Sequence, residues 1–274
     1  MLVQRVITAL ILLPLLLALV WYAPTPWLYG VLVLVGMLMA WEWTGLMGWG
    51  QRRPVRLGYA ALVGALLALA WFVPGREKLL PWLLGAAVLW WLFAISLFPG
   101  FPDNLQNNRP GALPMSLLGI LLTLSTLLAL AALHAMPQGA LKLLYFLFIV
   151  FAADTGAYLA GRNFGRRKLA PNISPGKTVE GALGGLLLTA AWAMTGGVYV
   201  FAPEGDKVWM LLGLTVVVAA ISIVGDLTES MFKRIAGLKD SGNILPGHGG
   251  ILDRVDSILA GAPVMVLGLY LTGL

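Results

Sequence analysis

Long apolar runs of about 20 residues dominate the chain and are separated by short turns rich in Pro, Gly and charged residues. An α-helix needs about 20 apolar residues to cross the hydrocarbon core of a bilayer. Turn sequences such as 23–26 and 98–104 end one run before the next begins. The pattern therefore predicts an all-α polytopic membrane protein with about nine spanning helices, near 6–23, 28–48, 57–74, 79–99, 113–135, 142–160, 182–202, 208–228 and 257–273.

Two connections, 161–181 and 229–256, are longer than the others and hold much of the polar sequence. We therefore expect residues 1–140 to form a region of about five N-terminal spans. Residues 141–274 are expected to form a catalytic membrane region that contains both polar connections. The first apolar run exceeds the usual 7–15 residues of a signal peptide, and no A-x-A cleavage site follows it, so we interpret it as a retained helix.

Composition agrees with this interpretation. The chain is 59% hydrophobic and 11% charged, with a mean hydropathy of +0.88, whereas soluble domains carry about 25% charged residues. A soluble globule, a disordered chain and a collagen-like fibre are excluded. The absence of cysteine excludes a disulfide framework, an iron–sulfur cluster and thiolate zinc, and two histidines make an all-histidine metal site unexpected.

The net charge of +6 is distributed unevenly over the connections. With the N-terminus in the cytoplasm, 14 basic residues lie on the cytoplasmic side, and only Arg76, Lys78, Lys142 and Lys207 lie opposite. Basic residues accumulate in cytoplasmic loops and beside anionic headgroups. The charge therefore predicts a multi-pass protein of the inner membrane, with both polar connections facing the cytoplasm and no nucleic-acid partner.

Acidic side chains are concentrated in the second polar connection and the helix ends beside it. Asp226, Glu229 and Ser230 follow i, i+3, i+4 spacing and Asp253 and Asp256 follow i, i+3 spacing, so each set shares one helix face. Carboxylates about 4 Å apart repel by roughly 4 kcal/mol at an effective dielectric of about 20, so cations must compensate. Hard oxygen ligands favour Mg²⁺, with a second cation left open. Nearby basic residues that could compensate in part are Lys233, Arg234, Lys239 and Arg254.

Glycines in the same connection permit close approach of the backbone to a ligand. Gly249 and Gly250 immediately precede the helix that carries Asp253, so free N–H groups at its N-terminus are predicted to bind an anion. The first polar connection contains a GKT sequence, but Pro171 stands where a P-loop requires its first glycine, so we reject that motif. It remains a cationic, hydroxyl-bearing loop suited to phosphates.

Two further acids, Glu42 and Asp154, lie near the ends of apolar runs. Carboxylates inside a membrane are costly, and each is therefore a candidate for function. A structural partnership is favoured for Glu42 and a functional role for Asp154, but the sequence assigns neither a specific role.

A cytoplasmic site with Mg²⁺ ligands and a phosphate-binding loop indicates phosphoryl or nucleotidyl transfer to a lipid. The residues alone identify neither the base nor the lipid. The stretch from Ser230 to Asp256, however, resembles the signature of the phosphatidate cytidylyltransferases: Ser230-x-Phe232-Lys233-Arg234-x4-Lys239-Asp240-x-Gly242-x3-Pro246-x-His248-Gly249-Gly250-x2-Asp253-Arg254-x-Asp256. The upstream block Ser174-Pro175-x-Lys177-Thr178-x-Glu180-Gly181 is similar to that family as well.

The resemblance implies transfer of a cytidylyl group from CTP to phosphatidate, giving CDP-diacylglycerol and pyrophosphate, in a homodimer. It implies that Asp226 and Asp253 hold the metal, with Asp256 as a further ligand and Asp240 as support. Groups facing phosphates would be Lys233, Arg234, Lys239 and His248, with Arg254 also in the catalytic set. CTP would be held by Ser174, Lys177 and Thr178, with Glu180, Gly249 and Gly250 beside them.

Three alternatives stay open at this point. A sister enzyme could transfer the cytidylyl group to another lipid phosphate, such as an ether lipid. A transporter could use the intramembrane acids as a cation site, although the acids cluster at one face and the spans show no inverted repeat. A noncatalytic scaffold could use the acid cluster as an ion-pair network. An Asp253→Asn variant is predicted to fold and to be nearly inactive.

Overall fold

A computed structural model describes residues 2–50, 52–106, 109–245, 247 and 249–274, without the side chains of 2–7, 9 and 106. It is built almost entirely of helices, joined by short turns. In chain order they are α1 (Leu2–Tyr22), α2 (Thr25–Leu46), α3 (Arg53–Phe72), α4 (Arg76–Leu97), α5 (Asp103–Gln106), α6 (Ala112–Ala135), α7 (Gly139–Phe164), α8 (Val179–Trp192), a π-helical turn (Ala193–Gly197), α9 (Val198–Phe201), α10 (Lys207–Ala236) and α11 (Leu252–Thr272).

The all-α polytopic class is confirmed. Within the described part of the chain, eight helical segments are long and apolar enough to cross a membrane, among them the continuous segment Val179–Phe201. The ninth predicted span, 6–23, coincides with α1, whose apolar portion with described side chains is Leu10–Tyr22. That this segment also crosses the membrane stays a prediction.

The helices around the polar connections are longer than hydropathy predicts. α7 continues to Phe164, α10 continues to Ala236 and α11 begins at Leu252, so the two connections shrink to 165–178 and 237–251. The predicted boundaries were wrong because polar residues at a span end can stay helical when they have partners, as Glu229 and Lys233 do at i, i+4. The first connection also contains an antiparallel hairpin, β1 (Lys168–Ala170) and β2 (Ser174–Thr178), which was not predicted.

Side-chain contacts place the basic connections at one end of the bundle. Asn172 of the hairpin donates to the Phe101 carbonyl, and Arg234 near the end of α10 donates to the Ile173 carbonyl of the same hairpin. The Leu252 N–H at the start of α11 donates to Glu42 near the end of α2. At the other end, the His134 ring lies 2.9 Å from Thr25 Oγ1, and Lys207 donates to the Gly273 carbonyl. These contacts agree with the predicted grouping of these connections, while the orientation of this end toward the cytoplasm stays a prediction.

Glycines let the helices beneath the polar connections pack closely. A Cβ on Gly156 of α7 would lie 2.5 Å from the Gly184 carbonyl oxygen of α8. A Cβ on Gly225 of α10 would lie 2.5 Å from the Asp256 carbonyl oxygen of α11. These backbone contacts hold α7 against α8 and α10 against α11.

Candidate functional site

A cavity of about 380 Å³ lies at the end of the bundle that carries the polar connections. Helices α7, α8, α10 and α11 form its walls, and strand β2 contributes Lys177 and Thr178. The polar and charged lining residues are Asp154, Tyr158, Arg162, Lys177, Thr178, Ser222, Asp226 and Ser257. The remainder of its lining is mostly small or apolar, so the cavity joins a charged region to a hydrophobic wall.

Lys177 and Asp226 form an ion pair in this cavity. Each side chain is 27% exposed, so the pair can be reached from the cavity. Ser230, one turn along α10, donates to Asp226 Oδ1 at 3.3 Å. The structure thus brings together two predicted site residues, Lys177 from the hairpin and Asp226 from α10. The family resemblance implied that Lys177 holds CTP, and its pairing with this acid was not predicted.

Lys177 lies near the end of strand β2, directly before the capped N-terminus of helix α8. Thr178 is the N-cap of α8, and its Oγ1 accepts from the Gly181 N–H at 3.1 Å. Glu180 accepts from the N–H groups of Arg166 and Arg167, and from Arg167 Nε at 3.1 Å. Glu180 therefore holds residues 166–167 of the first polar connection against the start of α8. Its predicted contact with substrate stays a prediction.

A second polar cluster lies between α10 and α11. The Lys233 ammonium is 2.7 Å from Glu229 Oε2 and 2.7 Å from Asp253 Oδ1, and all three side chains are nearly buried. The acid convergence predicted at the ends of these helices is present, and lysines compensate it. Among the four basic residues that the sequence suggested as counter-charges, Lys233 pairs with acids of this cluster in the described contacts. Lys177, which the sequence did not suggest for this purpose, pairs with Asp226.

Asp253 is surrounded by donors. Besides Lys233, its carboxylate accepts from the Ser241 N–H at 2.9 Å and from the Gly250 N–H at 2.8 Å. The expectation that the N–H groups before α11 are free was therefore wrong for Gly250. It was also wrong for Leu252, which donates to Glu42 at 2.8 Å. Carboxylates of the protein itself already satisfy these helix-terminal donors, so phosphate binding at Gly249 and Gly250 stays a prediction.

The third predicted metal ligand, Asp256, lies where α10 and α11 cross. Its Oδ1 accepts from the Ser257 N–H at 2.7 Å, and it interacts electrostatically with Asp226 and Glu229. The described residues contain no group of three or more His, Asp and Glu arranged to hold a metal ion. Lys177 and Lys233 stand against the carboxylates instead, and the assignment of Asp226, Asp253 and Asp256 to Mg²⁺ stays a prediction.

The remaining predicted site residues surround these two clusters. Arg234 is exposed on α10, with Nε 3.5 Å from the Ile173 carbonyl oxygen. Lys239, Asp240 and Arg254 are exposed, and Ser174 pairs with Ala170 in the hairpin. None of these five lines the cavity. His248 lies outside the described residues.

Two acids without an assigned role are placed at the site. Asp154 lines the cavity with Lys177 and Asp226, and a functional role for it stays a prediction. Glu42 contacts the connection between α10 and α11 through Ser241 and Leu252. The only sequence signal for either was a carboxylate in an apolar run; the sequence did not indicate which distant segment each would meet.

Comparison with known proteins extends over the whole chain. The profile of the cytidylyltransferase family matches residues 3–272. A phosphatidate cytidylyltransferase of Pseudomonas aeruginosa is 40% identical over 275 aligned residues, covering 100% of this chain and 98% of the relative. One of Haemophilus influenzae is 36% identical over 289, covering 96% of each. One of Staphylococcus aureus is 47% identical over 128, covering 47% of this chain and 48% of the relative.

Proposed function

Because the chain belongs to the cytidylyltransferase family, we propose that it transfers the cytidylyl group of CTP to phosphatidate. The products are CDP-diacylglycerol and pyrophosphate. The observation that carries this proposal is the similarity, over nearly the full length of both chains, to relatives named phosphatidate cytidylyltransferase. The charged cavity at the ends of membrane helices supports it, because a lipid phosphate and a nucleotide could meet there.

The reaction forms one phosphorus–oxygen bond and breaks another. A phosphate oxygen of phosphatidate attacks the α-phosphorus of CTP, and the bond from that phosphorus to the oxygen bridging the β-phosphorus breaks as pyrophosphate leaves. The attacking phosphate is already largely ionised at neutral pH, so no protein side chain is needed as a general base. The demand on the protein is to position two polyanions and to offset their charge.

Lys177 and Arg162, both in the cavity lining, are the cations suited to that task. Lys177 pairs with Asp226, which keeps the ammonium in the cavity. A phosphate oxygen that displaced this carboxylate would gain a charge-assisted hydrogen bond. Thr178 and Ser257 offer hydroxyl groups in the same lining.

Mg²⁺ is proposed as the cofactor, with a second cation left open. The donor set fits it in part: Asp226 presents a hard-oxygen carboxylate to the cavity, and Asp256 lies close to it. Asp253 fits less well as it stands, because Lys233 and two N–H groups occupy its oxygens. When bound, the ion would neutralise negative charge on the phosphates and the leaving group.

The lipid is proposed to enter from the bilayer beside α7 and α8. The cavity lies against both helices, and a second, apolar groove of about 380 Å³ is lined by the same pair through residues such as Phe151 and Leu188. The basic end of the bundle is proposed to face the cytoplasm of a bacterial inner membrane, where CTP is available. A homodimer is proposed as the assembly.

Purified protein in lipid-containing micelles provides the test. Labelled phosphatidate is supplied with CTP or ATP and with Mg²⁺ or EDTA, and CDP-diacylglycerol and pyrophosphate are measured. We expect product only when CTP and Mg²⁺ are both supplied with the phosphatidate. No product from folded protein with phosphatidate would contradict the substrate assignment; an ether-lipid phosphate would then be tried, and a failure to bind CTP would favour a transporter or scaffold.

The Asp226→Asn variant tests whether the cavity is the catalytic site. It removes the charge facing Lys177, and we expect a loss of about 10²–10³-fold in kcat, the usual effect of removing an electrostatic group at a reacting centre. Asp206→Asn, exposed at the start of α10 at the other end of the bundle, is the matched control. Asp253→Asn is less decisive, because inactivity could follow from loss of its bonds to Lys233 and Ser241.

A further inference from the structure

Glu42 is a buried carboxylate that the proposed reaction does not use. It lies four residues before the end of α2 at Leu46, and only 1% of it is exposed. A charge buried to this degree is costly unless it is hydrogen-bonded. The position of its partners therefore indicates its role.

Its hydrogen-bond donors lie in the connection between α10 and α11 and at the first residue of α11. Glu42 Oε2 accepts from the Leu252 N–H at 2.8 Å and from Ser241 Oγ at 3.3 Å. Leu252 is the first residue of α11, so Glu42 caps this helix from another helix, about 200 residues away in the chain. A carboxylate at a helix N-terminus is favoured by the helix dipole and satisfies a donor that has no partner within the helix.

Two glycines of the signature sequence pack directly on this carboxylate. A Cβ on Gly242 would collide with the Glu42 carboxylate, and a Cβ on Gly250 would lie 2.6 Å from Oε2. Gly242 does not have a positive φ, so space, rather than backbone conformation, requires glycine there. These glycines thus permit close approach of an acid from α2, a reason the sequence alone did not suggest.

The same connection is held from its other side by Asp253. The Ser241 N–H donates to both oxygens of Asp253, at 3.1 and 2.9 Å, while its Oγ donates to Glu42. The Gly250 N–H donates to Asp253, and two residues later the Leu252 N–H donates to Glu42. Each end of the connection is therefore clamped between the two carboxylates.

We propose that Glu42 is a positioning residue, whose carboxylate holds Ser241 of the connection and Leu252 at the start of α11 and thereby sets the place of Asp253 and Lys233. Its effect on turnover rests on the proposed function; its effect on the connection does not. The contribution is as a hydrogen-bond acceptor. Glu42→Gln retains an acceptor oxygen for Leu252, whereas Glu42→Leu removes it at similar volume.

Kinetics and hydrogen–deuterium exchange together test this role. For Glu42→Leu we expect kcat/KM for CTP to fall by about 10- to 100-fold, as when a reacting group is displaced by a fraction of an ångström to an ångström. We expect faster amide exchange in 237–256 only, with the other helices unchanged. Glu42→Gln should stay close to wild type in both measurements. Glu77→Leu, an exposed acid on α4, is the control.

The proposal is overturned if Glu42→Leu leaves exchange in 237–256 at the wild-type rate, or if Glu42→Gln is as impaired as Glu42→Leu. If Glu42→Leu does not fold, Gly242→Ala and Ser241→Ala perturb the same clamp from the other side, and both must accelerate exchange there. If wild type makes no CDP-diacylglycerol, the proposed function fails, and the exchange comparison still decides the role of Glu42.

Discussion

Lys233 offers the sharpest test of how the site is held together. Its ammonium lies 2.7 Å from an oxygen of Glu229 and 2.7 Å from an oxygen of Asp253. Replacing it with Met keeps the length of the side chain and removes the cation. Two carboxylates that are 3% and 7% exposed would then face each other without it.

The expected cost follows from the geometry. Unit charges 2.7 Å apart attract by about 6 kcal/mol at an effective dielectric of about 20. Desolvation of the three groups offsets much of the two attractions, and removing one partner of a buried pair costs about 3–5 kcal/mol in practice. For a chain of this size that loss lowers the unfolding temperature by on the order of 10 °C.

Thermal unfolding in micelles measures this, with exposed Lys78→Met as the control. The second variant is Lys233→Met combined with Glu229→Gln, which removes one of the two unpaired charges. Asp253 keeps its bonds from the Ser241 and Gly250 N–H groups, so the double variant should unfold at a higher temperature than Lys233→Met alone. Equal unfolding temperatures for the two would refute the argument that Lys233 compensates both acids.

Three further predictions concern packing, the hairpin and orientation. Gly156→Leu places side-chain atoms against the Gly184 backbone and should separate α7 from α8, lowering the unfolding temperature and activity, whereas Gly213→Leu, which meets nothing within 4 Å, should change neither. Glu180→Gln removes the charged acceptor of the Arg166 and Arg167 N–H groups, so trypsin should cleave there faster than in wild type, and an unchanged rate would count against this anchoring role. The chain has no cysteine, so Arg53→Cys and Glu204→Cys can be labelled singly in intact cells; an impermeant maleimide should reach only Glu204→Cys, and the reverse would invert the proposed orientation.

Sequence by itself determined the membrane class and the approximate positions of the spans, because runs of about 20 apolar residues have few stable alternatives to a transmembrane helix. It also indicated the acid cluster at 226–256, since i, i+3 spacing places side chains on one helix face whatever the helix packs against. The signature residues identified the family, which the whole-chain comparison confirmed.

Only the tertiary structure decided which charges meet. Lys177 of the hairpin pairs with Asp226 of α10 although they are far apart in the chain, and Glu42 caps α11 from α2. The periodicity of a segment describes its own faces and contains no information about the partner that covers them. The helix ends were extended past the predicted limits for the same reason: polar residues such as Lys233 stay helical because Glu229 and Asp253 satisfy them, and Asp253 was supplied by another helix.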